Sequence, residues 1–127
     1  MVGSAKVLVV DDDAGSLAAL ADILSLEGYL VQTMSNGLEA LEYLRAASDP
    51  PSLIILDLFM PVMDGWQFLA EKKADPRLSQ LRIPVVVVTA LSAKVAEADA
   101  VIRKPIDLER LLHTVKTLEK AGAPSGR

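Results

Sequence analysis

Short, mainly apolar runs alternate along the chain with segments of helical spacing. Four runs stand out: Lys6–Val10, Tyr29–Thr33, Leu53–Leu56 and Pro84–Val88, with a weaker fifth at Ala100–Ile102. They are brief and rich in Val, Ile and Leu, as strands covered on both faces must be. Between them, apolar residues recur at helical intervals. Leu17, Leu20, Ile23 and Leu24 share one face of a first helix, and Gly28 lies where it should stop. Leu38, Leu41 and Leu44 mark a second, with Asn36 and Glu39 spaced as a capping box. Asp64 and Gln67 open a third in the same way. Leu108, Leu111, Leu112, Val115 and Leu118 form the clearest stripe, with Asp107 as its cap.

Repeated strand–helix alternation implies parallel strands joined by crossover helices. The predicted fold is therefore α/β, a doubly wound five-stranded parallel sheet. Such sheets place their sites at the carboxyl ends of the strands.

The 127 residues suit one domain, with a core over about 6–119 and a flexible tail or linker start over 120–127. A hydrophobic fraction of 51% against 24% charged supplies a core without staples. With no cysteine, disulfides, thiolate metal sites and thiol catalysis are excluded. The net charge of −4, a pI near 4.9 and the lack of a basic run argue against direct nucleic-acid binding. No apolar run is long enough to span a bilayer, and Met1–Lys6 lacks a signal-peptide core. A cytoplasmic protein is expected.

The candidate chemistry lies at the predicted strand ends. Asp11, Asp12 and Asp13 follow the first strand, Asp57 ends the third, Thr89 ends the fourth and Lys104 follows the fifth. Taken singly, each has an ordinary structural use: a cap, a solvated carboxylate, a β-branched strand residue, a turn. A parallel sheet brings them to one edge. Crowded carboxylates repel unless a cation neutralises them, and an all-oxygen set suits a hard ion such as Mg²⁺. A carboxylate can also act as nucleophile toward phosphorus, with Lys104 and Thr89 neutralising and positioning the phosphoryl oxygens. His113, on the last helix, is expected to be partly exposed and without a chemical role; Trp66 and Phe68 are expected in packing.

Four segments in order carry a family resemblance. Val7-Leu-Val-Val-Asp-Asp-Asp13 resembles the acidic opening of response-regulator receiver domains. Leu56-Asp-Leu-Phe-Met-Pro-Val-Met-Asp-Gly65 is similar to their phosphoacceptor segment, and Thr89-Ala90 and Lys104-Pro105 to their remaining signatures. The resemblance runs from about Lys6 to Leu118. It implies a CheY-like receiver with Asp57 as phosphoacceptor, and Mg²⁺ held by Asp12, by Asp11 largely through water, by Asp57 and by the backbone carbonyl of Phe59. Lys104 would pair with the acceptor or its phosphoryl group. Thr89 would sense a phosphoryl oxygen, helped by the Ala90 N–H. Asp13 is left as a helix cap. The implied partners are a sensor histidine kinase or phosphotransfer protein and a downstream protein or fused output domain. The implied activity is signalling, confined to the chain's own phosphorylation and dephosphorylation.

Two departures stand against that pattern. Thr89 and Lys104 are 15 positions apart, shorter than usual by roughly two helical turns. The fourth helix is therefore expected to be shortened, with Leu91–Asp99 forming at most a turn or two. The fifth-strand position usually held by a switching aromatic is Val101. Both favour, as an alternative, a degenerate receiver that binds a partner regardless of phosphorylation. A Mg²⁺-dependent phosphohydrolase would want an acid/base two residues after the nucleophile, where this chain has Phe59. A dinucleotide fold lacks its Gly-rich turn.

Overall fold

The computed structural model describes residues 5–92 and 94–122. Its elements are β1 (Lys6–Val10), α1 (Ala14–Leu26), β2 (Leu30–Met34), α2 (Gly37–Ala46), β3 (Leu53–Asp57), α3 (Gly65–Ala74), α4 (Pro76–Leu81), β4 (Val85–Thr89), β5 (Ala100–Arg103) and α5 (Leu108–Gly122). The strands pair in parallel in the order β2-β1-β3-β4-β5. This is the expected doubly wound five-stranded sheet.

The period-2 alternation of side chains divides the core into two layers. Leu8, Val10, Ile54, Leu56, Val85 and Val87 point to one face, against Leu41 and Leu44 of α2, Phe68 and Leu69 of α3 and Leu78 of α4. Val7, Val9, Leu53, Ile55, Val86 and Val88 point to the other, against Leu20 and Leu24 of α1 and Leu111 and Val115 of α5. Both faces of the central strands are covered, which is why β1, β3 and β4 read as near-continuous apolar runs.

The strand limits shift from the expected ones for local reasons. The Tyr29 N–H closes the end of α1 on the Leu24 carbonyl (3.1 Å), and Gly28, at φ +96°, donates to Ser25 (3.0 Å). Tyr29 is thus spent on a Schellman cap, and pairing starts at Leu30. Pro84 has no N–H, so β4 starts at Val85. Asp57 and Thr89 belong to their strands, in register with Val88 and Arg103. Asp64 and Gln67 make a complete capping box. The one expected at Asn36 and Glu39 is only half made: Asn36 accepts from the Glu39 N–H, but the Glu39 carboxylate turns back to the N–H and hydroxyl of Ser35. α5 continues to Gly122, into the segment expected as a tail; 123–127 lie outside the described residues.

The largest departure lies between β4 and β5, where the described residues contain no helix. Among the described residues the shortening is complete, and length explains it. From the level of Thr89 back to that of Val86, where β5 begins, is about 10 Å. A helix rising 1.5 Å per residue would use about seven residues for that return. Only ten, Ala90–Asp99, separate the strands, too few for a helix and two reversals. The segment instead inserts Val95 into the core, and Asp99 clasps Val85 through its own N–H (2.8 Å) and through its carboxylate (2.8 Å). Val101 is half-buried against the same layer. An unanticipated helix, α4, precedes β4. Asp75 caps it and Pro76 occupies its first turn.

Candidate functional site

The carboxyl ends of β1, β3, β4 and β5 deliver the candidate residues to one edge. Asp11 extends β1 by donating its N–H to Met34 (3.1 Å), and its carboxylate accepts the Asp13 N–H (2.9 Å). Asp57 ends β3, and Thr89 ends β4 with no exposure at all. Lys104 follows β5, donates its backbone N–H to the Thr89 carbonyl (2.8 Å) and precedes a cis peptide to Pro105. One carboxylate oxygen from each of Asp11, Asp12 and Asp57 lies within 4.8 Å of the others. Lys104 Nζ is 3.8 Å from Asp57 Oδ1. Four residues spread over more than ninety positions of sequence therefore meet. Asp13 is not in the cluster; it caps α1 through the Ser16 N–H (2.8 Å).

Asp11 and Asp57 are buried while Asp12 is exposed. Burial, then the neighbouring Asp11 charge, raises the Asp57 carboxyl above its ordinary range. Lys104 and the Phe59 N–H oppose this in part. Asp11 is raised as well, chiefly by burial, against the Asp13 N–H and Lys104 that hold it down. Two buried carboxylates beside a third, with one ammonium among them, leave an excess of negative charge. A hard cation with oxygen ligands fits that donor set and would relieve the repulsion.

Several features were not legible from spacing. Gly65, the first residue of α3, donates to the Leu58 carbonyl (2.8 Å), and a Cβ on it would stand 2.8 Å from both the Asp57 carbonyl oxygen and Leu58 Cα. The bare Gly lets α3 press against the backbone that carries Asp57. The Thr89 hydroxyl oxygen accepts the Leu91 N–H (3.1 Å), tying it to the start of the β4–β5 link. Trp66, expected in packing, packs at the surface against Phe59. It is 41% exposed and stands edge-on to Phe59, itself 53% exposed, with ring centroids 5.3 Å apart. Phe68 is fully buried, and His113 is exposed. No helix among the described residues is long and apolar enough to cross a membrane.

Residues 7–116 match the response regulator receiver domain family. The chain is 36% identical over 122 residues to the response regulator MprA of Mycobacterium ulcerans, covering 91% of this chain and 50% of that protein. The chain thus spans about half the length of that relative. The receiver domain of a signal transduction histidine kinase from Syntrophus aciditrophicus superposes with a TM-score of 0.82 at 34% identity, covering 93% of this chain and 92% of the other. The response regulator TrrA of Thermotoga maritima, solved in complex with Mg²⁺-BeF, gives 0.78 at 28% identity, covering 90% and 98%.

Proposed function

The chain belongs to the response regulator receiver domain family of two-component signalling, and from that premise we propose that Asp57 accepts a phosphoryl group from a phosphohistidine. The observation that carries the reading is the placement of Asp57: buried at the end of β3, 3.8 Å from Lys104 and beside Asp11 and Asp12. A carboxylate oxygen of Asp57 attacks phosphorus, the P–N bond breaks, and the imidazole leaves with the bonding electron pair. Lys104 neutralises charge on the phosphoryl oxygens. The Thr89 hydroxyl donates to one of them while its oxygen keeps the Leu91 N–H, and the Ala90 N–H adds a second donor. Asp11, Asp12, Asp57 and the Phe59 carbonyl would hold Mg²⁺, as the solved complex of TrrA supports. When bound, the ion supplies charge neutralisation for the carboxylates and the transferring group.

The donor would be a sensor histidine kinase or a phosphotransfer protein, in the cytoplasm. Because the chain spans half of MprA, the receiver of the signal would be a fused output domain or a separate protein. Acetyl phosphate with Mg²⁺ should add one phosphoryl group by mass spectrometry, and Asp57→Ala should abolish it. Equal modification of the variant would refute the assignment. The second reading, a module that binds its partner regardless of phosphorylation, is favoured by the helix-free β4–β5 link and by Val101. It requires partner affinity to be unchanged by that treatment.

A further inference from the structure

At the opposite edge of the sheet from Asp57, the second half of α3, α4 and the β4–β5 link line an open cavity of about 160 Å³. Leu69, Lys72, Lys73, Ser79 and Glu97 line it. The helix-free link is what puts Glu97 on its wall. Lys73 and Glu97, both on its lining, are paired with each other, Nζ to Oε2 3.7 Å. Lys72 is half-buried and has no ion pair or side-chain hydrogen bond among the described residues. Asp99 acts on it only through space, with its carboxylate already taken by the Val85 N–H (2.8 Å).

We propose that this cavity is a binding site for a single carboxylate, held by the Lys72 ammonium and the Ser79 hydroxyl. The class of ligand follows from the lining. A half-buried ammonium compensated only through space by Asp99 has lost part of its hydration without a direct partner, and an anion in contact restores it. Burial accordingly lowers the Lys72 ammonium from its ordinary range, with Asp99 resisting. The Lys73–Glu97 pair is neutral, so the lining carries one net positive charge. That matches a monoanion and disfavours a phosphate dianion, which would face the Glu97 carboxylate. The cavity has the volume of about five waters, enough for a carboxylate headgroup, and Leu69 offers an apolar wall to the carbon behind it. The carboxylate belongs either to a small free acid or to a Glu or Asp side chain of a docked protein. The site does not rest on the phosphoacceptor reading.

The test is an amide NMR titration of the full chain with sodium acetate, and separately with an end-blocked Gly-Glu-Gly peptide, against sodium chloride at matched ionic strength. Saturable shifts at Leu69, Lys72, Lys73, Ser79 and Glu97, in the millimolar range, support the site. Saturation by acetate assigns it to a free acid; saturation by the peptide alone assigns it to a partner side chain. Lys72→Met should weaken binding at least about tenfold while Lys72→Arg retains it, and Ser79→Ala gives an independent, milder loss if Lys72→Met does not fold. Shifts that stay linear with both carboxylates, that chloride reproduces, or that survive in both Lys72→Met and Ser79→Ala overturn the proposal.

Discussion

Asp57→Asn should make the metal-free protein more stable, because the fold holds that charge at a cost. At an effective dielectric near 20, two carboxylate charges at the 4.8 Å limit of the Asp11–Asp12–Asp57 cluster repel by about 3.5 kcal/mol, and the 3.8 Å Lys104 contact returns about 4.4 kcal/mol. With two repelling neighbours and one attracting, the balance is unfavourable by about 2–3 kcal/mol. Solvent around the exposed Asp12 and the 35% exposed Lys104 side chain screens this to about 1–2 kcal/mol. Asn keeps the shape of the Asp57 side chain and one carbonyl oxygen, so the substitution removes little else. The pH window follows from the raised native pKa of Asp57. The folded state binds the proton more tightly than the unfolded chain, so the group's contribution falls as pH rises from about 3.8 through the native value, then stays flat. The advantage of Asp57→Asn should open across that window and vanish below it. Urea denaturation with chelator at neutral pH and near pH 3 measures both limits; about 1 kcal/mol corresponds to roughly 3–5 °C in Tm for a chain of this size. Mg²⁺ should then stabilise the wild type, by about 2.7 kcal/mol at a hundredfold excess over its Kd, and the variant much less. A variant less stable than wild type at neutral pH, or one whose gain persists near pH 3, would refute the electrostatic reasoning.

Gly65→Ala should cost about 1–3 kcal/mol by overpacking and weaken Mg²⁺ binding in calorimetry, since the new Cβ meets the Asp57–Leu58 backbone at 2.8 Å. Val62 is β-branched, 74% exposed and held at φ 69°; Val62→Asn should raise urea-derived stability by about 1 kcal/mol. Asp99→Ala leaves the buried Val85 N–H without its carboxylate partner and should cost about 1–2 kcal/mol, with faster hydrogen exchange at the start of β4. Phosphoryl loss should be faster in Phe59→Asn than in wild type, because Phe59 and Leu91 give an attacking water no hydrogen bond; a longer-lived variant in a decay assay would contradict this.

The fold was legible because both faces of the central strands are buried, which leaves β1, β3 and β4 as near-continuous blocks of Val, Ile and Leu, with the edge strands more weakly marked. The site was legible for a related reason: parallel strands align their carboxyl ends, so Asp11, Asp57, Thr89 and Lys104 needed only the strand order to meet. What escaped depends on three-dimensional approach. α4 was announced by Asp75-Pro76, an N-cap followed by a helix-starting Pro, yet six residues carry no periodicity to weigh. The half-made box at Asn36 turns on a rival acceptor bond to Ser35, which spacing does not show. The close approach of Gly65 to β3 and the cavity under Lys72 arise from helix–sheet distances that no local pattern encodes. The β4–β5 link lay between: its length declared that a helix would be cut short, but its complete loss required the strand register.

Trp66 is the chain's single tryptophan, and its ring lies edge-on to Phe59, two residues after Asp57. Indole emission responds to the polarity and contacts of its surroundings, and both rings are half-open to water. Whatever repositions the Asp57–Phe59 backbone also changes the environment of the one strong fluorophore. The domain therefore carries a built-in optical reporter of its own acidic edge. Events there can be followed in unlabelled protein by fluorescence intensity and wavelength, in real time and without a partner.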